Sequence, residues 1–319
     1  MIDIVRFVLF AFACVCSAHQ SQTAILYAHF SDALGDDNLD FFLNHGGIVS
    51  KAQYHYVFIV SGSPSARASQ ALDAAHRERP QQVEWHVREN KGYDFCAWSE
   101  ALYGPLPVRA NLTHFDYFIL INKSVRGPFL PRYLTQHMDW PELFTARLME
   151  QGVALSGTSV NCDNWKSDLH LQSMLLAFNA TIKDTIARSH IQCWSDKDTV
   201  IRQGEIGFSR AIIRSGQRLA STMVAFGGRS IPNEDTGTIC EGLRSRNPGH
   251  PDSTDPYYPN NAGGISLHPL EMIFFKTNRN VDPKVLSAYT TLYSRDIRDW
   301  GAPQDSWTRW IWWRWLWAS

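Results

Sequence analysis

Side chains suited to binding a charged ligand come directly after four apolar runs in the first half of the chain. In chain order they are Ser31 and Asp32, Ser61 and Gly62, the segment from Asn90 to Asp94, and Asn122, Lys123 and Ser124. A lysine can neutralise phosphate, and a glycine lets a ligand approach the backbone closely. Loops are polar in most proteins, so these residues indicate a binding site only if the fold places them close together.

The apolar runs before these side chains have the composition of buried strands. They are Thr23 to His29, Tyr54 to Ser61, Val83 to Val87 and Phe115 to Asn122. Helical stretches alternate with them, at Ser69 to Arg79 and from Asp94 or Phe95 onward. The alternation predicts an α/β fold whose mainly parallel sheet is flanked by helices. In such open sheets the ligand lies beyond the carboxyl ends of the strands, where the polar side chains are found.

The second half is less regular. The expected elements are a helix from Trp140 to Gln151, a strand from Val153 to Ser159, a helix or strand from Leu169 to Asn179, and a helix from Glu205 to Ser215 that Gly216 ends. A segment rich in Pro, Gly, Asn and Asp, Ile231 to Asn261, predicts a long loop. No internal repeat or Gly/Ser linker divides the chain, so we expect one domain over residues 23–300.

The composition limits the classes of function. The 319 residues are 44% hydrophobic and 19% charged, which suits a globular protein with a substantial core. The net charge of −1 gives no global field that would attract nucleic acid. We therefore expect no nucleic-acid partner.

Both termini differ from the rest of the chain. The run from Ile4 to Cys16 is too short to span a bilayer, and with the small residues that follow it predicts a signal peptide or short signal anchor over residues 1–18. A buried first strand or helix is the alternative. The Trp/Arg-rich tail at residues 301–319 suits either a membrane interface or a terminal element docked on the body.

Four cysteines follow the leader, namely Cys96, Cys162, Cys193 and Cys240. An even number permits disulfides in an oxidising compartment, and the alternative is that they are buried free thiols. Together with the leader, these cysteines favour a protein of the secretory pathway, located in the Golgi or at a membrane. A location on the cytoplasmic face of the membrane is the alternative. Three triplets that can accept N-linked glycan begin at Asn111, Asn122 and Asn179.

Several long blocks resemble a known family. They are NKGYDFCAWSEAL, FDYFILINKSVRGPFLP, SGTSVNC, HLQSMLLAF, GEIGFSRAIIRSG and GGISLHPLEMIFFKTNR. In this order, from about Asn90 to Arg279, they resemble the rhamnan synthesis protein F type of glycosyltransferase, within the GT-A superfamily. The resemblance implies a GT-A-like fold, a nucleotide-sugar donor, a divalent metal ion (Mn²⁺ or Mg²⁺) and transfer of a hexose to a polysaccharide or glycan acceptor.

The resemblance implies that Asn90, Gly92 and Asp94 line the nucleotide pocket, with Gly92 allowing close approach of the donor. The alternative is a plain helix start with Asp94 as its cap. At the strand end, Asn122, Lys123 and Ser124 stand where the superfamily has a metal-binding Asp-x-Asp. Asn122 and Ser124 are neutral and Lys123 between them is positively charged, so this triplet is a poor ligand set for Mg²⁺ or Mn²⁺. Metal dependence, and activity with it, therefore stays an open question at this point. Lys123 could neutralise the donor diphosphate itself, or it could point to solvent.

Glu205 matches the position of the superfamily's catalytic base, which removes the proton from the acceptor hydroxyl. The alternative is a first-turn glutamate that stabilises the helix dipole, in which case Asp163 and Asp168 are the next candidates.

The block SLHPLEMIFFK places His268 three residues before Glu271. His268 could meet the metal or the donor diphosphate, with Glu271 fixing its tautomer, or it could be a hydrogen-bonded structural histidine. His170 and Gln172 are expected to face the acceptor.

These features predict a glycosyltransferase. A degenerate transferase that binds glycan without turnover is the main alternative. A secreted lectin-like module and a hydrolase are less favoured, the latter because no second carboxylate occupies a companion position.

Overall fold

A computed structural model describes residues 21–163, 168–226, 228–231, 236–245 and 253–295. The leader at 1–18 and the tail at 301–319 lie outside these residues, so their expected roles remain predictions. No helix among the described residues is both long enough and apolar enough to cross a membrane.

Eleven strands are found in this part of the chain. They are β1 Thr23–His29, β2 Tyr54–Ser61, β3 Val83–Arg88, β4 Tyr117–Asn122, β5 Val125–Arg126, β6 Val153–Gly157, β7 Val160–Asp163, β8 Asp168–Leu171, β9 Leu175–Asn179, β10 Arg218–Ser221 and β11 Phe275–Lys276. Seven of them form the central sheet, in the order β10-β6-β9-β4-β1-β2-β3. All neighbours in it are parallel except β9, which runs antiparallel to β4 and β6.

Helices cover the sheet. The α-helical segments are α1 Ala33–Asn44, α2 Ala66–Glu78, α3 Asp94–Leu102, α4 Trp140–Leu148, α5 Ala180–Ile182, α6 Arg188–His190, α7 Lys197–Thr199, α8 Ile206–Arg214, α9 Thr236–Ser245, α10 Pro269–Met272 and α11 Pro283–Ser294. Two π-helical segments, Lys183–Ala187 and Val200–Glu205, join α5 to α6 and α7 to α8. The predicted α/β class, with a mainly parallel sheet flanked by helices, is confirmed.

The central strands are buried on both faces, which is why their sequences are continuous apolar runs. Every residue of β1 is buried, and Phe118, Ile119, Leu120 and Ile121 of β4 are 0% exposed. The predicted bounds of β1 and β2 are confirmed at both ends, whereas β4 begins two residues later than expected.

In the second half one open alternative is decided and two expectations need correction. The ambiguous segment from Leu169 to Asn179 forms two strands, β8 and β9. The expected loop from Ile231 to Asn261 contains helix α9, whose Cys240 is bonded to Cys162. Glu205 does not open a helix, because the helical segment that contains it begins upstream at Lys197. Gly216 follows that helix with a φ of 79°, as predicted for a helix stop.

The four cysteines form two disulfides. Cys96 in α3 bonds to Cys193, just before α7, and Cys162 in β7 bonds to Cys240. The first disulfide therefore ties the turn after β3 to the segment that leads to Glu205.

Candidate functional site

The carboxyl ends of β1, β2, β3 and β4 meet at one edge of the sheet, because these strands are parallel. The amino end of β9 lies at the same edge, since β9 is antiparallel to β4. The four polar loops that the sequence singled out therefore converge, as expected for an open α/β sheet. We call this region the carboxyl edge.

Asn122 links two of the predicted residues at this edge. Its Nδ2 donates a hydrogen bond of 2.6 Å to Oδ2 of Asp94. Its Oδ1 accepts from the backbone N–H of Ser124 at 3.0 Å and from the Ser124 hydroxyl at 2.5 Å. The amide thus fixes the first residue of α3 against the end of β4, and both of its polar ends are occupied.

Asp94 is the first residue of α3 rather than its cap, which is Tyr93. Burial, assisted by the nearby charge of Glu205, raises the pKa of the Asp94 carboxyl to about 6, although the hydrogen bond from Asn122 and the charge of Lys276 oppose the shift. A carboxyl whose pKa lies near neutrality at the end of a sheet is typical of a functional site.

Lys123 forms an ion pair with Asp32, the N-cap of α1, and its ammonium group lies 5.0 Å from the centre of the Phe30 ring. Burial opposes ionisation of Asp32, but its hydrogen bond with Lys123 leaves the pKa of Asp32 below its usual value. Lys123 is therefore neither free in solvent nor unpaired. A phosphate group that bound Lys123 would replace Asp32 as its partner.

Gly92 is required by the packing of the protein itself. It adopts a φ of 61°, and a Cβ added there would lie 2.6 Å from Cβ of Cys96 and 2.9 Å from the carbonyl oxygen of Trp194. The space beside Gly92 that was expected to admit the donor is filled by Cys96 and by the segment that contains Cys193 and Trp194. Asn90 is exposed beside Gly62, and its expected contact with a nucleotide remains a prediction.

Glu205 lies at the end of the π-helical segment and faces the sheet. Its Oε2 accepts hydrogen bonds from the backbone N–H of Ser173 at 2.6 Å and from the Ser173 hydroxyl at 2.5 Å. Its Oε1 lies 3.9 Å from Nε2 of His170. The helix-dipole alternative is wrong, because Glu205 is inside a helix and its carboxylate is held by Ser173. Single-turn π-helices occur often at functional sites.

Gly204 explains how the helix comes this close to α3. A Cβ at that position would lie 2.8 Å from Cε1 of Phe95 and 3.0 Å from the Trp194 ring. The absence of a side chain brings the backbone beside Glu205 against the helix that starts at Asp94.

The sequence analysis missed Lys276. This lysine is in β11, which pairs with β5 immediately after Ser124. Burial lowers the pKa of Lys276, whereas the carboxylates of Glu205, Asp255 and Asp94 raise it. Lys276 and its strand partner Val125 are 151 positions apart along the chain. The signal that could have identified the lysine was the single cation at the end of the apolar run IFFK in the last family-like block.

The segment that carries Lys276 is anchored in the core. Trp140 packs edge-on against Phe274 with ring centroids 4.9 Å apart, and the backbone N–H of Phe129 donates to Ile273 at 2.7 Å. Just beyond β11, Arg279 forms an ion pair with Asp255 at 3.2 Å.

His170 and Gln172, the expected acceptor-binding residues, are nearly buried, at 2% and 5% exposed. Nδ1 of His170 donates a hydrogen bond of 2.8 Å to the backbone oxygen of Asp168. The other ring nitrogen, Nε2, therefore points toward Glu205. The Gln172 amide is held by the Ser159 hydroxyl at 2.7 Å and by Asp255 at 3.2 Å. Gln172 therefore positions its neighbours, and its contact with an acceptor remains a prediction.

His268 and Glu271 are not brought together as a pair. His268 is the N-cap of α10, where Nδ1 accepts from the N–H of Leu270 at 3.2 Å, and its ring meets that of Tyr289 edge-on. Glu271 accepts from the N–H of Val224 at 2.7 Å. This geometry favours the structural interpretation of His268, and the tautomer role expected of Glu271 has no support in it.

Among the described residues, the carboxyl edge holds no group of three His, Cys, Asp or Glu side chains close enough together to share a divalent cation. In the described part of the chain, one group of three His, Cys, Asp or Glu side chains is close enough to share an ion, namely Cys96, Glu100 and Cys193. Its two sulfurs form a disulfide and are not available as thiolate ligands. At the end of β4, the oxygen and nitrogen of the Asn122 amide are used internally.

No family model matches the chain, and no curated protein matches it. The rhamnan synthesis F-like assignment is therefore not confirmed. Two similar solved structures are the mannosyltransferase PcManGT from Pyrobaculum calidifontis in complex with GDP-Man and Mn²⁺ and the apo bifunctional glycosyltransferase WbbM. The first is 11% identical with a TM-score of 0.42, covering 64% of this chain and 55% of that one. The second is 9% identical with a TM-score of 0.34, covering 65% of this chain and 40% of that one.

Proposed function

We propose that this protein transfers a sugar from a nucleotide-sugar donor to a glycan acceptor at the carboxyl edge of its sheet. The observation that supports this best is the convergence of Asp94, Glu205 and Lys276, which come from three distant parts of the chain. The charge of Glu205 acts on the pKa of both Asp94 and Lys276. The resemblance of the sequence blocks to glycosyltransferases supports the same assignment.

Glu205 is the proposed base. Ser173 holds Oε2, so Oε1 is the oxygen that takes the proton from an acceptor hydroxyl. The acceptor oxygen then bonds to the anomeric carbon as the bond from that carbon to the phosphate oxygen breaks. The nucleoside diphosphate leaves with the electron pair of the broken bond.

Lys276 and Lys123 would stabilise the charge that develops on the departing diphosphate. The charges of three carboxylates already act on Lys276, and Lys123 would exchange Asp32 for a phosphate oxygen. Charged groups fixed in advance around a developing negative charge are among the strongest sources of rate enhancement. No step of this mechanism depends on a metal ion, because the side chains at the edge do not form a cage for one.

Two exposed aromatic rings follow strands of the same edge. Phe30 comes directly after β1 and is 40% exposed, and Tyr93 precedes α3 and is 41% exposed. An aromatic ring can stack on a nucleobase for about 1–3 kcal/mol. We assign these two rings as candidates for stacking on the base of the donor.

A second candidate function is glycan binding without turnover. The observation that favours it is the strand end itself, where Asn122 replaces a carboxylate and Lys123 is already neutralised by Asp32. A protein of this kind would bind an acceptor but would not consume a donor.

Incubation of the full-length protein with radiolabelled UDP-, GDP- and dTDP-sugars and a mixed glycan acceptor would test the proposal. We expect one donor to be consumed, with its label moving into glycan. A donor at 100 times its Kd also raises the free energy of unfolding by about 2.7 kcal/mol, which a melting curve detects. Glycan binding with no donor consumed or bound would favour the second candidate.

We also infer that the protein acts in the secretory pathway. Two disulfides among the described residues support this, because disulfides persist in oxidising compartments.

A further inference from the structure

A basic groove lies on the outer face of the helix that carries Glu205. Its volume is about 620 Å³, within the range of protein ligand sites. Arg202 of the π-helical segment lines it together with Arg210 and Arg214, which are neighbours four residues apart on α8. Asp168 of β8 and His190 of α6 line it as well.

The charge of this groove is strongly one-sided. Three arginines face one carboxylate, Asp168, which lies 3.4 Å from Nε of Arg210. No carboxylate of the described residues lies within ion-pair distance of Arg202 or Arg214, although Asp196 feels the charge of Arg202 at longer range. Arginine binds carboxylate, sulfate and phosphate groups through two parallel hydrogen bonds.

The groove shares its strand and its helix with the residues of the proposed base, although neither His170 nor Glu205 lines it. Asp168 and His170 are two residues apart on β8, so their side chains lie on one face of the strand, about 7 Å apart. His170 approaches Oε1 of Glu205 to 3.9 Å. On the helix, Ile206 lines the groove and directly follows Glu205. The groove and the proposed base are therefore built on the same strand and the same helix.

The lining also suits a sugar. Nδ1 of His190 donates to the backbone oxygen of Gln203 at 2.7 Å, which leaves Nε2 able to accept from a sugar hydroxyl. None of the lysines proposed to meet the donor diphosphate lines the groove.

We propose that this groove binds an acidic glycan, whose carboxylate, sulfate or phosphate groups are held by Arg202, Arg210 and Arg214. Resting on the proposed function, the bound chain is the acceptor.

The test compares the full-length protein with two variants of equal net charge. The groove variant is Arg202→Gln with Arg214→Gln. The control is Arg77→Gln with Lys284→Gln, which removes two exposed cations from α2 and α11. Biolayer interferometry measures binding to carboxymethyl-dextran, to dextran sulfate and to neutral dextran, which share one backbone. Calorimetry measures binding of nucleoside diphosphates.

We expect the wild type to bind at least one acidic dextran at least tenfold more tightly than neutral dextran. The groove variant should lose at least tenfold of that affinity while the control keeps it, and added salt should weaken binding. Nucleoside diphosphate affinity should stay within twofold in both variants.

Equal binding of acidic and neutral dextran, or equal losses in groove variant and control, would overturn the proposal. So would a loss of nucleoside diphosphate binding in the groove variant, which would assign the arginines to the donor. If the groove binds acidic dextran but the wild type binds no nucleoside diphosphate, the site stands while its acceptor role and the proposed function fail.

Discussion

Replacing Glu205 by glutamine separates the proposed base from a structural glutamate. The amide keeps the size of the side chain, and its carbonyl oxygen can still accept both hydrogen bonds from Ser173. What it loses is the ability to take up a proton. If Oε1 removes the acceptor proton, sugar transfer should fall by about 10²–10⁴-fold, or about 2.7–5.5 kcal/mol in barrier height.

The effect on stability follows from the same two contacts. Hydrogen bonds to a charged group contribute about 1.5–3 kcal/mol each, against about 0.5–1.5 for neutral ones, so both contacts weaken. Loss of repulsion between Glu205 and Asp94 offsets part of this, and loss of attraction to Lys276 adds to it. We expect the free energy of unfolding to fall by about 1–2 kcal/mol, a drop of about 1.5–3 °C in Tm for a chain of this length.

The assay is label transfer at saturating donor, run beside thermal melting and donor binding. Glu78→Gln is the matched control, because Glu78 is 66% exposed and forms an ion pair with Arg79 far from the carboxyl edge. Glu205→Gln should bind donor normally and turn it over at no more than 1% of the wild-type rate, about the smallest loss expected for a general base. A variant that melts earlier yet transfers sugar within threefold of wild type would refute the assignment.

Three further expectations concern the same region. The carboxyl of Asp94, whose pKa of about 6 lies above its unfolded value, favours the folded state below about pH 4 and loses that contribution as pH rises through 6. Urea unfolding should therefore show Asp94→Asn gaining up to about 3 kcal/mol relative to wild type between pH 4 and pH 8, and a constant difference would contradict the shift. Replacing Cys96 and Cys193 by serine opens a cross-link between residues 97 positions apart and should lower the free energy of unfolding by about 2–5 kcal/mol in urea titrations, whereas an unchanged midpoint would contradict the pairing. Chelator should change donor affinity by less than about twofold, since the edge has a poor donor set for Mg²⁺ or Mn²⁺, and loss of binding that Mn²⁺ restores would show a metal cage.

The sheet was predictable because a strand that is buried on both faces requires an unbroken run of apolar residues. That is why β1 and β2 were located to the residue. The edge residues Asn122 and Asp94 could be predicted from their positions after apolar runs, because the carboxyl ends of parallel strands meet at one edge of the sheet. The helix α9 was not predictable in this way: Thr236–Ser245 contains two glycines, which weaken helix propensity, and tertiary contacts such as the disulfide of Cys240 outweigh it.

The site was predictable only in part, because some roles depend on contacts distant in sequence. Lys276 reaches the edge through pairing of β11 with β5, which no local pattern encodes. Glu205 was identified as a candidate, but its position inside a helix depends on a π-helical segment packed against Phe95. Gly92 was expected to make room for a ligand, whereas the protein's own disulfide segment occupies that space.

The central claim is that the carboxyl edge binds the diphosphate of a nucleotide sugar. Calorimetric titration of the full-length protein with UDP, GDP and dTDP tests it most directly, using Lys276→Met beside Lys284→Met, which removes an exposed lysine from α11. We predict that one nucleoside diphosphate binds the wild type and the Lys284 variant equally and binds the Lys276 variant at least tenfold more weakly. The absence of binding by all three nucleotides, or equal affinity in a folded Lys276 variant, would contradict the claim.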